Sequence, residues 1–412
     1  MRIIADFHIH SRYARACSKY ISVDSLAEWA TWKGINILGT GDFTHHLWLK
    51  ELKANLEPLG DGFYVYKKYP NLKWILTGEI SSIYKQSGKC RKIHTVLFAP
   101  SFETVDEINN RLAKIGNIHS DGRPILGISA RDLTKLVLDI NSNCMIIPAH
   151  AWTPWFSVFG SKSGFDTLEE CFLDMTPNIY AIETGLSSDP EMNWRLSNLD
   201  PITLISNSDA HSAPNLGREA TVFTVTNGTN ISYPLITQMI KNSRDDKRFA
   251  ISDKLSSTLE FFPEEGMYHF DGHRDCGEIS MSPEESEKLN HLCPKCKKNM
   301  TIGVLHRVQD LADRPTGYQP KNFPSSLHLV PLQEIISESF GVGKASKRVQ
   351  AEYHRIVGNV GNEFDILLYK SLGELSDNID RKIVDAIGKV RKGKVIATPG
   401  YDGVYGKVRI NG

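Results

Sequence analysis

IIADFHIH, residues 3–10, is a short apolar run that ends in two histidines. It reads as a strand. Side chains alternate along a strand, so His8 and His10 point to one face. The same ending recurs along the first half of the chain. INILGTGD ends at Asp42, WILTGE at Glu79, CMIIPAH at His150, and ITLISNSDAH at Asp209 and His211. Acid and imidazole groups at the carboxyl ends of successive strands converge on one mouth when the strands close into a barrel. His94 departs from this rule, because it precedes its apolar run, HTVLFAP. It reaches the mouth if that strand runs antiparallel or if a loop carries it.

Helical patterns separate these runs. Asp24-Ser25 is expected to cap a helix, LAEWATWK, that ends at Gly34. FETVDEINNRLAKIG carries Val105, Ile108, Leu112 and Ile115 at helical spacing, and SARDLTKLVLDI carries Leu133, Leu136, Val137 and Ile140. A further helix is expected through NWRLSNL. Strands alternating with helices mean βα units in a mainly parallel sheet or barrel, here placed over residues 1–250.

The composition is that of an ordinary soluble globular protein, with 41% hydrophobic and 23% charged residues. Lys+Arg and Asp+Glu both number 48, so net charge neither favours nor excludes a nucleic-acid partner. No apolar run approaches the length of a membrane span. Met1-Arg2 leads directly into the first strand, with no signal-peptide pattern. The seven cysteines form no disulfide framework, so a cytoplasmic protein is expected.

Histidine and carboxylate gathered in a cleft describe a multinuclear metal site. Such a centre lowers the pKa of water and clamps phosphate, which points to a metal-dependent phosphoester hydrolase. MRIIADFHIHS, TGD, TGEI, PAH and NSDAH resemble the polymerase and histidinol phosphatase (PHP) family. The resemblance implies a distorted βα barrel with two or three metal ions. By position, His8, His10, Glu79 and Asp209 would hold one ion. Glu79 would bridge to a second, held also by His94 and His150. Asp42 and His211 would serve a third. Asp209, Glu79 and His150 are then the catalytic candidates. The family's usual TDH reads Thr40-Gly41-Asp42 here, and another third-site histidine falls near Ala16-Cys17, so the third position is altered.

His273-x-x-Cys276 and Cys293-x-x-Cys296 have the paired spacing of a structural zinc site, placed in a zinc-ribbon domain over residues 251–320. His269 is the alternative first ligand. Residues 321–412 read as a helical, basic domain. Within them, residues 341–412 hold 13 Lys/Arg against 8 Asp/Glu. Arg314, Lys321, Lys344, Lys347, Arg348, Arg391, Lys392 and Lys394 are candidates for phosphate contacts. Gly341-Val342-Gly343 could present backbone amides to a phosphate.

This combination, with PAHAWTPWFSVFGSKSGF, IETGLSSDP and TIGVLHRVQDLADRP, resembles the endonuclease Q family. Members nick DNA on the 5′ side of deaminated bases (uracil, hypoxanthine, xanthine) and of abasic sites. The resemblance implies Zn²⁺ in the ribbon and in the active site, with Mg²⁺ or Mn²⁺ as active-site alternatives. It implies lesion-bearing DNA as partner and a base pocket near Glu183, Thr184 and Ser187. Trp152, Trp155, Phe156 and Phe159 either stack bases or plug the barrel. Lys162, Arg91 and Arg218 are further phosphate-binding candidates. A sliding clamp is a partner of some members, but no clear clamp-binding peptide stands near this C-terminus. The competing readings are a small-molecule phosphomonoesterase of the PHP type, to which ribbon and tail would be superfluous, and a binding module that keeps its metals for structure.

Overall fold

The computed structural model describes residues 1–243, 253–321 and 323–410. The first strand forms at Arg2–Asp6 and pairs in parallel with Ile37–Gly39. That strand pairs in parallel with the long strand Tyr69–Gln86. Direction then reverses. Lys89–Ala99 runs antiparallel beside Tyr69–Gln86, and Met145–Pro148 runs antiparallel beside Lys89–Ala99. The Ala151 N–H donates to the Glu183 carbonyl and leads on to Ala181–Glu183, which pairs in parallel with Thr203–Ile205. His10 N–H donates to Ala210 O and closes the ring beside the first strand.

The protein is thus α/β, with a distorted βα barrel of mixed strand direction. The mainly parallel sheet expected from the alternation is not what forms. The reason lies at Ser87-Gly88, where φ is 52° and 75°. Two left-handed residues between the paired Gln86 and Lys89 make a tight hairpin. A parallel partner would need a long crossover instead. This reversal is what brings His94 to the mouth.

Alternation fills the barrel. Ala5, Phe7, Ile75, Val96, Phe98, Met145, Ile147, Ala181 and Ile205 form the inner core. Their neighbours Ile4, Leu38, Leu76, Leu97, Ile146 and Ile182 pack outward under the helices. Glu79 shares parity with Ile75, and His94 with Val96 and Phe98, so both side chains share the inward face.

The helix Val23–Lys33 begins one residue before the expected cap, Asp24-Ser25. Ser22 accepts the Ser25 N–H and Ser25 returns the bond, forming a capping box, and Gly34 ends the helix at φ 89°. The helices Phe102–Leu112 and Ala130–Ile140 form as expected, capped by Ser101 and Ser129. The helix expected through NWRLSNL breaks into Pro190–Asn193 and a 3-10 turn at Ser197–Leu199. There Asp313 takes the Ser197 N–H, and the Arg195 carbonyl accepts from Asp313 and Arg314. A segment more than a hundred residues away overrides the local pattern.

Beyond the barrel, Lys254–Glu260 pairs with Ala220–Thr224, and Ser325–His328 adds in parallel to Lys254–Glu260. The main sheet therefore runs into both segments expected to be a separate ribbon and tail. The boundary expected at 250/251 lies outside the described residues. A small hairpin, Asp271–Gly272 with Ser280–Met281, carries the cysteine cluster. The helices Leu332–Phe340, Lys347–Asn359 and Arg381–Val390 pack on their own core. The tail is not wholly helical, since Ile396–Thr398 and Lys407–Arg409 form a hairpin. A buried ion pair, Lys33 Nζ to Glu363 at 2.8 Å, ties the tail to the barrel. No described helix is long and apolar enough to cross a membrane.

Candidate metal centre

Two groups of ligand-type side chains meet at the barrel mouth. One is His8, His10 and Asp209, and the other is Glu79, His94 and His150. Glu79 joins them. Its Oε2 lies 3.5 Å from His8 Nε2 and 3.4 Å from His10 Nε2, and its Oε1 lies 2.8 Å from His94 Nδ1 and 3.3 Å from His150 Nε2. Asp209 Oδ1 faces His10 Nε2 at 3.0 Å. Asp209 and His150 both adopt positive φ, 46° and 28°. Such backbone is costly for these residues and is found where surrounding structure holds a functional group in place.

The donor set fits divalent cations. His8 Nε2, His10 Nε2, Glu79 Oε1 and Asp209 Oδ1 are buried without a directed hydrogen bond. Buried polar atoms are normally satisfied, and here three orphans share the His8–His10–Asp209 group while Glu79 Oε1 faces His94 and His150. Burial lowers the His94 imidazole to about 3 against the pull of Glu79, leaving it neutral with a free lone pair. Burial alone would raise the Glu79 carboxyl, but His94, Arg123 and His8 outweigh it and hold the group well below its usual range. His10 goes the other way: burial opposes its charge, yet Asp42 and Asp209 push it up to about 9. A bound cation competes with that proton, so metal affinity falls in acid.

A surrounding layer orients the ligands. His8 Nδ1 meets Glu183 at 3.0 Å, and His10 Nδ1 meets Asp42 Oδ1 at 2.9 Å. Each pairing leaves Nε2 for the centre, as histidine–carboxylate–metal arrangements require. Thr153 Oγ1 lies 3.2 Å from His150 Nδ1. Glu183 also accepts from the His150 N–H at 2.7 Å and from Asn207 Nδ2 at 2.9 Å.

Several expectations change here. Asp42 joins neither ligand group: one of its oxygens lies 2.9 Å from His10 Nδ1 and the other accepts the Ser11 N–H. His211 joins neither ligand group. Its Nδ1 lies 2.8 Å from the Asp209 carbonyl, and its side chain lines the cavity. Glu183 lines the cavity but is committed to His8. Thr184 is buried, with its hydroxyl 2.8 Å from Ser206 Oγ, and does not face the mouth. Arg91 is buried against Gly164 O and Phe165. Lys162 lies outside the cavity lining, 3.4 Å from Met300 O. Trp152 and Phe159 are core residues, packed 4.7 Å apart with Trp152 Nε1 on Asn193. Arg391 donates to the Ile366, Leu367 and Lys370 carbonyls, and Arg314 pairs with Asp200, so both are structural.

Ser187, Trp155, Phe156 and Arg218 do line the cavity, a space of about 660 Å³ that opens on the metal-facing side chains. Tyr268 and Tyr405 add aromatic walls from beyond the barrel. Lys92 and Arg123 add positive charge. Arg123, Thr153, Asn207 and both tyrosines were not legible in the sequence: Arg123, Tyr268 and Tyr405 sit at no strand end, and Asn207 and Thr153, though beside Asp209 and His150, are neutral residues with no ligand pattern.

His273, Cys276, Cys293 and Cys296 form the cluster expected of a zinc ribbon, with His273 Nδ1 3.6 Å from Cys296 Sγ. His269 is not part of it. All four ligand positions are filled by protein, so the cluster is built for structure.

The barrel, ribbon and tail recur together in known proteins. The crystal structure of the lesion-specific endonuclease PfuEndoQ from Pyrococcus furiosus matches with a TM-score of 0.85 and 31% identity, covering 99% of this chain and 95% of that one. The chain belongs to the endonuclease Q family. By that membership it is an enzyme of the nuclease class. Endonuclease Q in complex with a 27-mer duplex substrate, with an abasic lesion at the active site, matches at a TM-score of 0.87 and 31% identity over 100% of this chain and 97% of that one. The uncharacterized protein YqxK of Bacillus subtilis is 29% identical over 99% of both chains. The uncharacterized protein MJ0043 of Methanocaldococcus jannaschii is 33% identical over 263 residues, 63% of this chain. This chain spans 31% of the length of MJ0043. Residues 331–394 match the family described as MJ0043 C-terminal domain.

Proposed function

We propose that this protein is a DNA repair endonuclease that hydrolyses the phosphodiester on the 5′ side of a deaminated base or an abasic site. The observation that carries the reading is the cavity of about 660 Å³ beside the paired ligand groups. It is of the size that holds a small-molecule ligand or an extruded nucleoside. The full-length likeness to an endonuclease Q with an abasic lesion at its active site supports the same reading.

In this reading His8, His10, Glu79 and Asp209 hold one divalent ion, and Glu79, His94 and His150 a second. Bound ions at such a centre lower the pKa of water and neutralise phosphate charge. The chain's own groups do the rest. Asp42, Glu183 and Thr153 fix the orientation of the ligand imidazoles. Arg218 donates to the Ser208 carbonyl at 2.8 Å and to the Asp209 carbonyl at 3.3 Å, holding the turn that presents the carboxylate. Burial lowers the His211 pKa, favouring the neutral ring, and a second nitrogen remains for substrate. Trp155 and Tyr268, 6.0 Å apart and edge-on, offer an aromatic wall to a flipped base. Ser187 adds a small hydroxyl to the wall beside them. The three-part division, with barrel to 250, ribbon to 320 and tail to 412, is retained as a functional division: barrel for chemistry, ribbon and tail for duplex.

The test uses labelled duplexes carrying one uracil, hypoxanthine, xanthine or abasic site, or only normal pairs, with Zn²⁺, Mg²⁺ or Mn²⁺. A single nick on the 5′ side of the lesion, leaving a 3′-hydroxyl, is expected. Asp209→Ala should abolish cutting and leave duplex binding largely intact. Uncut lesion duplex beside rapid hydrolysis of a small phosphomonoester would replace this reading with the phosphatase alternative.

A further inference from the structure

Arg123 stands at the edge of the metal-facing cavity, outside both ligand groups. Its Nη1 donates to Glu79 Oε2 at 3.1 Å, and its side chain is 22% exposed, on the cavity side. One guanidinium nitrogen is used on a carboxylate, the other donors are not committed to it, and the side chain lines the space a substrate would enter.

The backbone that presents this side chain is held from several directions. Gly122 N–H donates to Tyr13 O at 3.0 Å, and Thr44 Oγ1 donates to Gly122 O at 3.1 Å. Arg123 N–H donates to Asp121 Oδ1 at 3.0 Å. Pro124 O accepts the Ser81 N–H at 3.0 Å, and Ile125–Leu126 then pairs in parallel with Ser81–Ser82, next to Glu79. A Cβ at Gly122 would stand 2.3 Å from Asp42 Oδ2, so the loop lies directly on the pair that orients His10. The segments carrying His10, Asp42 and Glu79 thus also fix Arg123.

The charge balance gives that placement a purpose. Asp42, Glu79, Glu183 and Asp209 are four carboxylates in and around the centre. A phosphodiester brings another negative charge among them. A guanidinium is always charged, and its planar fork matches two phosphate oxygens.

We propose that Arg123 binds a non-bridging oxygen of the scissile phosphate, tethered to Glu79 by one arm and reaching substrate with the other. The proposal rests on reading the site as a metal centre that takes a phosphodiester. It assigns Arg123 to substrate and not to holding Glu79 in place.

Wild-type, Arg123→Gln and Arg123→Lys proteins, each loaded with metal, are compared by bound-metal stoichiometry, by calorimetric titration with inorganic phosphate, and by cleavage of an abasic duplex. Arg123→Gln is expected to keep the wild-type metal content and to weaken phosphate binding at least about tenfold. Its kcat should fall about 10²–10³-fold, the usual cost of removing one donor to a developing oxyanion. Arg123→Lys should restore phosphate binding in part and cleavage poorly, since a point charge cannot bridge carboxylate and phosphate. Loss of metal in Arg123→Gln would make the residue a brace for Glu79 and overturn the proposal. Unchanged phosphate binding and cleavage at full metal content would overturn it as well. Wild-type protein that cuts no lesion duplex, yet loses phosphate affinity on Arg123→Gln, would sink the endonuclease reading and keep Arg123.

Discussion

At the residue scale, the centre depends on which nitrogen of each histidine is left free. Asp42 and Glu183 decide this for His10 and His8 without facing the cation themselves. Asp42→Asn should therefore leave every ligand in place and still weaken metal binding about 10–100-fold, read by competition with a chelating dye. Unaltered affinity would mean that the Asp42 contact is incidental. The strand-end histidines and acids were legible because each follows an apolar run that names its own direction. Asp42 was legible as a site residue but not in its role. A carboxylate looks the same in sequence whether it binds a cation or a histidine, and the difference is 2.9 Å to His10 Nδ1. Arg123 was not legible, since SDGRP reads as an ordinary turn.

At the element scale, the joints between units carry the sharpest consequences. Glu363 is buried and accepts from Lys33 at 2.8 Å, from Tyr353 Oη at 2.8 Å and from the Leu332 N–H at 2.9 Å. It pins the first barrel helix to two segments of the tail. Glu363→Ala strands a buried ammonium, so unfolding free energy should drop by about 3–5 kcal/mol in denaturant titration. A loss under about 1 kcal/mol would show that the joint relaxes and hydrates. The ribbon offers a second case. Cys296→Ala should remove one zinc equivalent and lower the melting temperature, while the barrel's ligand groups keep their metal. Parallel loss of barrel metal would show that ribbon and centre fold as one unit.

Over the whole molecule, carboxyls buried near the junctions set the response to pH. Glu260 is pushed up to about 8 by burial, with the neighbouring Glu219 also raised well above its usual value. Burial, with Glu334 and Glu264 adding, pushes Glu265 up to about 9. These groups keep a proton in the folded state that the unfolded chain releases above about 4.5. Their stabilisation is complete below that pH and is lost as pH rises toward 8 and 9. Thermal unfolding from pH 5 to pH 9 should show a falling midpoint, and Glu265→Gln should flatten the slope. An identical slope in the variant would remove Glu265 from the account.

What the chain determines locally is the identity of the ligands, the helix caps near Ser22, Ser101 and Ser129, and the paired His-Cys and Cys-Cys spacing of the ribbon. Each depends on residues a few positions apart, where alternation, capping and ligand spacing act directly. Tertiary structure decided the break after Asn193, the pairing of Asp42 with His10 and of Glu183 with His8, the burial of Thr184, and the place of Arg123. These depend on groups tens to hundreds of residues apart, whose meeting follows from how the barrel closes and from which buried polar atoms must be satisfied once it has.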